Sequence, residues 1–70
     1  MVGNTTYGQV IYFDTEKKEF EIIDLDKYTY MFKFSEIELP AGSRWTDLLG
    51  KNVGVMEIDD VATKIIWQEF

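Results

Sequence analysis

Short apolar runs, alternating with polar residues or broken by them, fill this chain, and no apolar stripe at helical spacing persists for ten residues. Tyr7–Asp14 is rich in β-branched and aromatic residues, which predicts a strand. The polar stretch Thr15–Lys18 has the length of a hairpin loop. From Glu19 to Leu25 a second strand is predicted, because Phe20 and Ile22 alternate with Glu19 and Glu21. The alternation slips at Ile22-Ile23, which predicts a β-bulge there. After Asp26-Lys27, Tyr28–Phe34 is the clearest strand, with Tyr28, Tyr30, Phe32 and Phe34 on one parity and Thr29, Met31 and Lys33 on the other.

The second half reads differently. Ser35–Glu38 predicts a turn or a short 3₁₀ piece, and Pro40-Ala41-Gly42-Ser43 a loop. Ser43 is placed to cap one helical turn over Arg44–Leu49, which Gly50 would end. Lys51–Ile58 predicts a fourth strand, with Val53 and Val55 on one face and Met56 and Ile58 on the other. Asp59-Asp60 turns the chain into a fifth strand, Val61–Gln68. Five short strands bury most apolar surface as one strongly bent antiparallel sheet closed into a small all-β barrel. The long link between strands three and four favours an OB-fold over an SH3-like barrel. Residues 1–6 read as a loose lead-in and 7–70 as one domain.

Composition narrows the chemistry. Seventy residues make one domain at most, with a core that buries only about 60% of the unfolded surface. There is no cysteine and no histidine. Thiolate metal sites, disulfides and Ser/His or Cys/His catalytic pairs are therefore excluded. Glu57, Asp59 and Asp60 lack the ligand count and glycine spacing of a calcium loop, and Gly50-Lys51 lacks the rest of a phosphate loop. No enzyme activity, cofactor or metal is expected. The apolar runs are too short to span a bilayer, and no secretory pattern opens the chain, so the cytoplasm is the expected location. Seven basic residues against thirteen acidic ones give a net charge of −6, which lacks the basic footprint of a duplex-DNA or anionic-membrane binder. Six acids lie between Asp14 and Asp26, against Lys17 and Lys18.

From Gly8 onward the chain resembles the cold-shock domain, a five-stranded OB-fold family that binds single-stranded RNA and DNA. Gly8-Gln9-Val10-Ile11-Tyr12-Phe13-Asp14 is similar to the family's G-x-V-K-W-F-N. Lys18-Glu19-Phe20-Glu21-Ile22-Ile23 is similar to K-G-F-G-F-I, after one extra hairpin residue. Tyr30-Met31-Phe32-Lys33-Phe34-Ser35-Glu36-Ile37 is similar to V-F-V-H-F-S-x-I. Leu48-Leu49-Gly50-Lys51-Asn52-Val53 resembles L-x-x-G-x-x-V, and Val61-Ala62-Thr63-Lys64-Ile65 resembles the closing A-x-N-V. The resemblance covers nearly the whole chain at low identity. It implies weak binding of single-stranded RNA or DNA through an aromatic sheet face of Tyr12, Phe20, Met31, Lys33 and Phe34, with Ile22 at a further platform position. Glu19 and Glu21 replace the family's two glycines, Lys33 its histidine, and Met31 and Ile22 two of its phenylalanines.

Spacing alone assigns some of these residues differently. Phe20, Ile22, Tyr30, Phe32 and Phe34 are core candidates, whereas Tyr12 and Met31 suit the surface. If Phe20 and Ile22 point inward, Glu19 and Glu21 point outward, the platform is lost and the outer face of strand two is acidic. The barrel would then serve as a protein-interaction module, through that acidic face against a basic protein or through strand-edge pairing of two copies. Lys33 is expected to pair with Glu19 or Glu21 across the sheet. Trp45 is expected to lie as a lid over one barrel end, with Arg44 beside it. Trp67 and Phe70 either close the barrel or make a partner contact, and the choice between monomer and homodimer stays open.

Overall fold

The computed structural model describes residues 3–68. Its strands are β1 (Gly3–Asp14), β2 (Glu19–Ile23), β3 (Thr29–Lys33), β4 (Asn52–Ile58) and β5 (Val61–Trp67), with one helical turn, α1 (Trp45–Leu48), between β3 and β4. They pair in the order β1-β2-β3-β5-β4, and β4 returns to β1, so the five-stranded sheet closes in a ring. All neighbours are antiparallel except β3 and β5, which meet in parallel at Lys33↔Val61. Phe70 lies outside the described residues.

Length lets β1 serve two partners. Its first half pairs with β4 from Gly3↔Ile58 to Gln9↔Asn52, and its second half with β2 from Gln9↔Ile23 to Asp14↔Glu19. The predicted lead-in is thus corrected: Gly3–Thr6 belong to the sheet. Their exposure on both parities hid them from the alternation test. The change of partner needs a sharp bend, and Ile11 supplies it as an extra residue between Val10 and Tyr12. The bulge predicted at Ile22-Ile23 is therefore in β1, and β2 runs in unbroken register. Gly8 sits beside the bend because nothing larger fits; a Cβ there would stand 2.7 Å from the Ile23 carbonyl oxygen.

Local polar groups set the strand ends. Asp24 Oδ1 accepts the Asp26 and Tyr28 N–H groups, and the Lys27 backbone is left-handed at φ 70°. That turn ends β2 at Ile23, before the predicted Leu25. Asp14 Oδ1 accepts the Glu16 and Lys17 N–H groups and closes the first hairpin in the same way. The helical turn is capped by the Asp47 carboxylate, which accepts the Arg44 N–H at 2.9 Å, while Ser43 instead donates its N–H to the Pro40 carbonyl. Gly50 follows α1 at φ 83°, as its predicted role as a terminator requires. Its N–H and the Lys51 carbonyl grip Val10, tying the turn to β1 at the bulge.

The core is built from inward positions of every element, among them Val10, Phe20, Ile22, Leu48, Val55 and Ile65, all fully buried. No polar or charged side chain is buried with them among the described residues. Trp45 closes one end of the ring as predicted. It is half-buried and lies against Phe13, Phe20 and Phe34 at centroid separations of 5.7, 5.1 and 5.3 Å. Tyr30 departs from expectation: it has inward parity opposite Ile22 yet stays 38% exposed, because the ring is uncovered at that corner. Trp67 is exposed.

Candidate functional site

The hairpin β1–β2 decides which side chains can meet a ligand. Asp14 pairs with Glu19 across the four-residue loop Thr15–Lys18, so both carboxylates take the outer face. Residues directly opposite share a face, and the register then lays out rows across three strands. Phe13, Phe20 and Phe32 form an inner row. Tyr12, Glu21 and Met31 form an outer row, and Asp14, Glu19 and Lys33 the next one.

This layout splits the five residues of the expected aromatic face. Tyr12, Met31 and Lys33 share the outer face. Phe20 does not: it is fully buried, stacked on Phe32 with ring centroids 5.3 Å apart, and has no surface to offer a base. Phe34 has inward parity as well; it is half-buried, and its ring lies against those of Phe20 and Trp45. Ile22, the further platform position, is fully buried. The physical reason is parity. Burying Phe20 and Ile22, with Glu19 and Glu21 half-buried on the outer face, avoids two unpaired carboxylates inside the ring, each of which would cost several kcal/mol.

The outer face is therefore acidic and ordered by its own contacts. The Tyr12 hydroxyl donates to Glu19 Oε2 at 3.2 Å, and Lys33 Nζ lies 3.6 Å from Glu19 Oε1. Lys33 thus pairs with Glu19, as expected from the sequence. Desolvation, and after it the Glu19 carboxylate, pushes the Tyr12 phenol above its ordinary value. Glu21 has no ion-pair partner among the described residues. At the far end of β3 the Tyr30 hydroxyl donates to Asp24 Oδ2 at 3.0 Å, which raises the Tyr30 pKa.

Two further features had no sequence signal strong enough to single them out. A cleft of about 320 Å³ opens between the start of the β2–β3 loop and the β1–β4 seam, lined by Tyr7, Gln9, Ile23, Asp24, Asn52 and Gln68. None of the expected face residues borders it. The second feature is the side of β3 turned away from β2, which meets β5 only at Lys33. Strand alternation finds β3 but cannot say which of its sides stays unpaired. Among the described residues no three carboxylates gather as metal ligands. Comparison of the chain with protein-family models, with curated proteins and with solved structures finds no match.

Proposed function

We propose that this chain is a small OB-type barrel that acts, without catalysis, as a protein-interaction module and receives a basic partner on the outer face of β1–β3. One observation carries the reading: Glu19 and Glu21 stand outward on the strand where the cold-shock resemblance implies stacking rings, while Phe20 is sealed beneath them. Asp14 extends the same acidic row, and the Lys33 on that face is already engaged by Glu19. Such a surface repels phosphates and attracts lysine and arginine. The strand order and the helical turn between β3 and β4 support the OB assignment. A barrel can keep its fold while the chemistry of its face changes.

Weak binding of single-stranded RNA or DNA remains the second reading, because Tyr12, Met31 and Lys33 do share the outer face. Titration with oligothymidine and with mixed-sequence RNA at two salt concentrations, followed by tryptophan emission, separates the two. The protein-interaction reading expects no saturable change up to high micromolar oligonucleotide. Quenching that saturates and weakens as salt rises would replace it with the nucleic-acid reading.

A further inference from the structure

Among the described residues β3 is paired along its full length on one side only. It pairs with β2 from Glu19↔Lys33 to Ile23↔Thr29, whereas its other side meets β5 at Lys33↔Val61 alone. The Phe34 N–H donates to the Lys18 carbonyl at 3.1 Å, which fixes the phase of the ladder. In an antiparallel pair, positions alternate between exchanging both bonds with the partner and turning both groups away. Phe32 and Tyr30 therefore bond to β2, and the N–H and C=O groups of Thr29 and Met31 project from the open side. Among the described residues these four groups have no partner. Among the described residues nothing covers the edge from above: Thr29 is exposed, and Met31 is 51% exposed.

We propose that this edge takes up an extended, basic segment of another protein as an added strand, an inference that rests on the protein-interaction role above. Thr29 and Met31 would supply four main-chain hydrogen bonds, the source of affinity in strand addition. Charge selects the occupant. Next to the edge, Glu21 has no cation on it among the described residues, and Asp24 and Asp26 lie just beyond the Thr29 end. A residue of the added strand opposite Met31 would lie about 10 Å from the Glu21 backbone, two strand spacings away. A lysine or arginine reaching over Met31 can close that gap with the glutamate side chain. The alternate residues of the segment would cover the exposed flank of Tyr30, so the fitting sequence alternates basic and apolar residues. A second copy of this chain is the poorer occupant, since it brings the same acids and a net charge of −6 to the seam.

The test uses a synthetic peptide of about seven residues, a common strand length, alternating lysine with valine, and three comparisons. Titration into ¹⁵N-labelled protein is expected to shift the amides of Thr29–Met31 most. Met31→Pro removes a donor from the open side without removing a bond to β2, so the protein should melt as before yet bind at least about tenfold more weakly. N-methylation of alternate peptide nitrogens, in each of the two phases, should weaken binding in one phase only; this arm decides the matter even if Met31→Pro fails to fold. Glu21→Lys should lower affinity and flatten its salt dependence. If Glu21→Lys abolishes binding while Met31→Pro and both methylated peptides bind normally, the acidic face is the site and strand addition is wrong. No binding of the peptide at millimolar concentration overturns the inference, and when oligonucleotides bind instead, the interaction role falls with it. A concentration-dependent dimer in sedimentation that Met31→Pro dissolves would assign the edge to a second copy.

Discussion

Phe20 and Phe32 lie face to face across β2 and β3, ring centroids 5.3 Å apart and inclined by 25°, both shut off from solvent. The pair ties together the two strands whose outer faces carry Glu19, Glu21 and Lys33, so this acidic outer face keeps its layout only while the stack holds. Phe20→Ala is expected to lower stability by about 3–5 kcal/mol, the range for removing a buried aromatic ring. In a domain of this size that is a large share of the total. Urea melts followed by tryptophan emission would measure it, since Trp45, one of the two tryptophans, packs on the same ring. A loss below about 1 kcal/mol would mean that the Phe20 ring spends its time outside.

Gly8 and Gly3 lie on the same strand but meet different surroundings. A Cβ on Gly8 would stand 2.7 Å from the Ile23 carbonyl oxygen, a backbone atom that cannot move without breaking the β1–β2 ladder. On Gly3 the nearest atom would be at 3.6 Å, an ordinary contact. Gly8→Ala is expected to cost about 1–3 kcal/mol, the usual range for overpacking. Gly3→Ala should be neutral or slightly stabilising, as it reduces the freedom of the unfolded chain. Equal melting of the two variants would show that the bend at Ile11 does not depend on Gly8.

The sequence pattern carried most of this architecture. Five strands, the polar breaks between them and the helical turn ended by Gly50 are local events, written in alternation, turn residues and a single glycine. The doubled apolar pair Ile22-Ile23 resembles a slip in register and draws the predicted bulge to β2, whereas the real extra residue, Ile11, sits in an apolar run that shows no break. The layout of the outer face is legible in the sequence only to the extent that parity is. The resemblance assigns Phe20 and Phe34 outward, and the hairpin, by pairing Asp14 with Glu19, turns Phe20 inward. Alternation already marks Phe20 and Ile22 as core candidates, and burial of whole paired rows decides between that and the outward assignment. The open side of β3 depends on how closely β5 approaches it, a tertiary distance with no local signal.

The β4–β5 hairpin turns on Asp59 and Asp60, both left-handed at φ 51° and 67°, between the pair Ile58↔Val61. Two positive φ values in a two-residue loop are the geometry that Asn-Gly adopts most readily. Aspartate tolerates it at some cost, and here two like charges are adjacent. The double variant Asp59→Asn with Asp60→Gly is expected to gain about 1 kcal/mol, chiefly by relieving the left-handed conformation at residue 60. Thermal and urea melts at neutral pH should show the gain. A loss of stability would point to a contact of the Asp60 carboxylate that outweighs its strain.

Asp14 gives the fold a dependence on acid. Its carboxylate accepts the N–H groups of Glu16 and Lys17 at 2.9 and 3.0 Å, and the bond from Lys17 is the main cause that holds its pKa below the ordinary 3.8; partial desolvation opposes it. The folded state therefore prefers the ionised form more strongly than the unfolded state does. Where the unfolded chain binds the proton more readily, stability rises with pH. The contribution of Asp14 is thus complete above the unfolded value and is lost as pH falls through the lower, folded one. A carboxyl titration by ¹³C NMR should give Asp14 a midpoint below 3.8, and the advantage of the native protein over Asp14→Ala should shrink over the same acidic interval. A midpoint at or above that value would mean that the hairpin loop does not hold its two N–H groups on the carboxylate in solution, and with them the pairing of Asp14 to Glu19 that turns the acidic row outward.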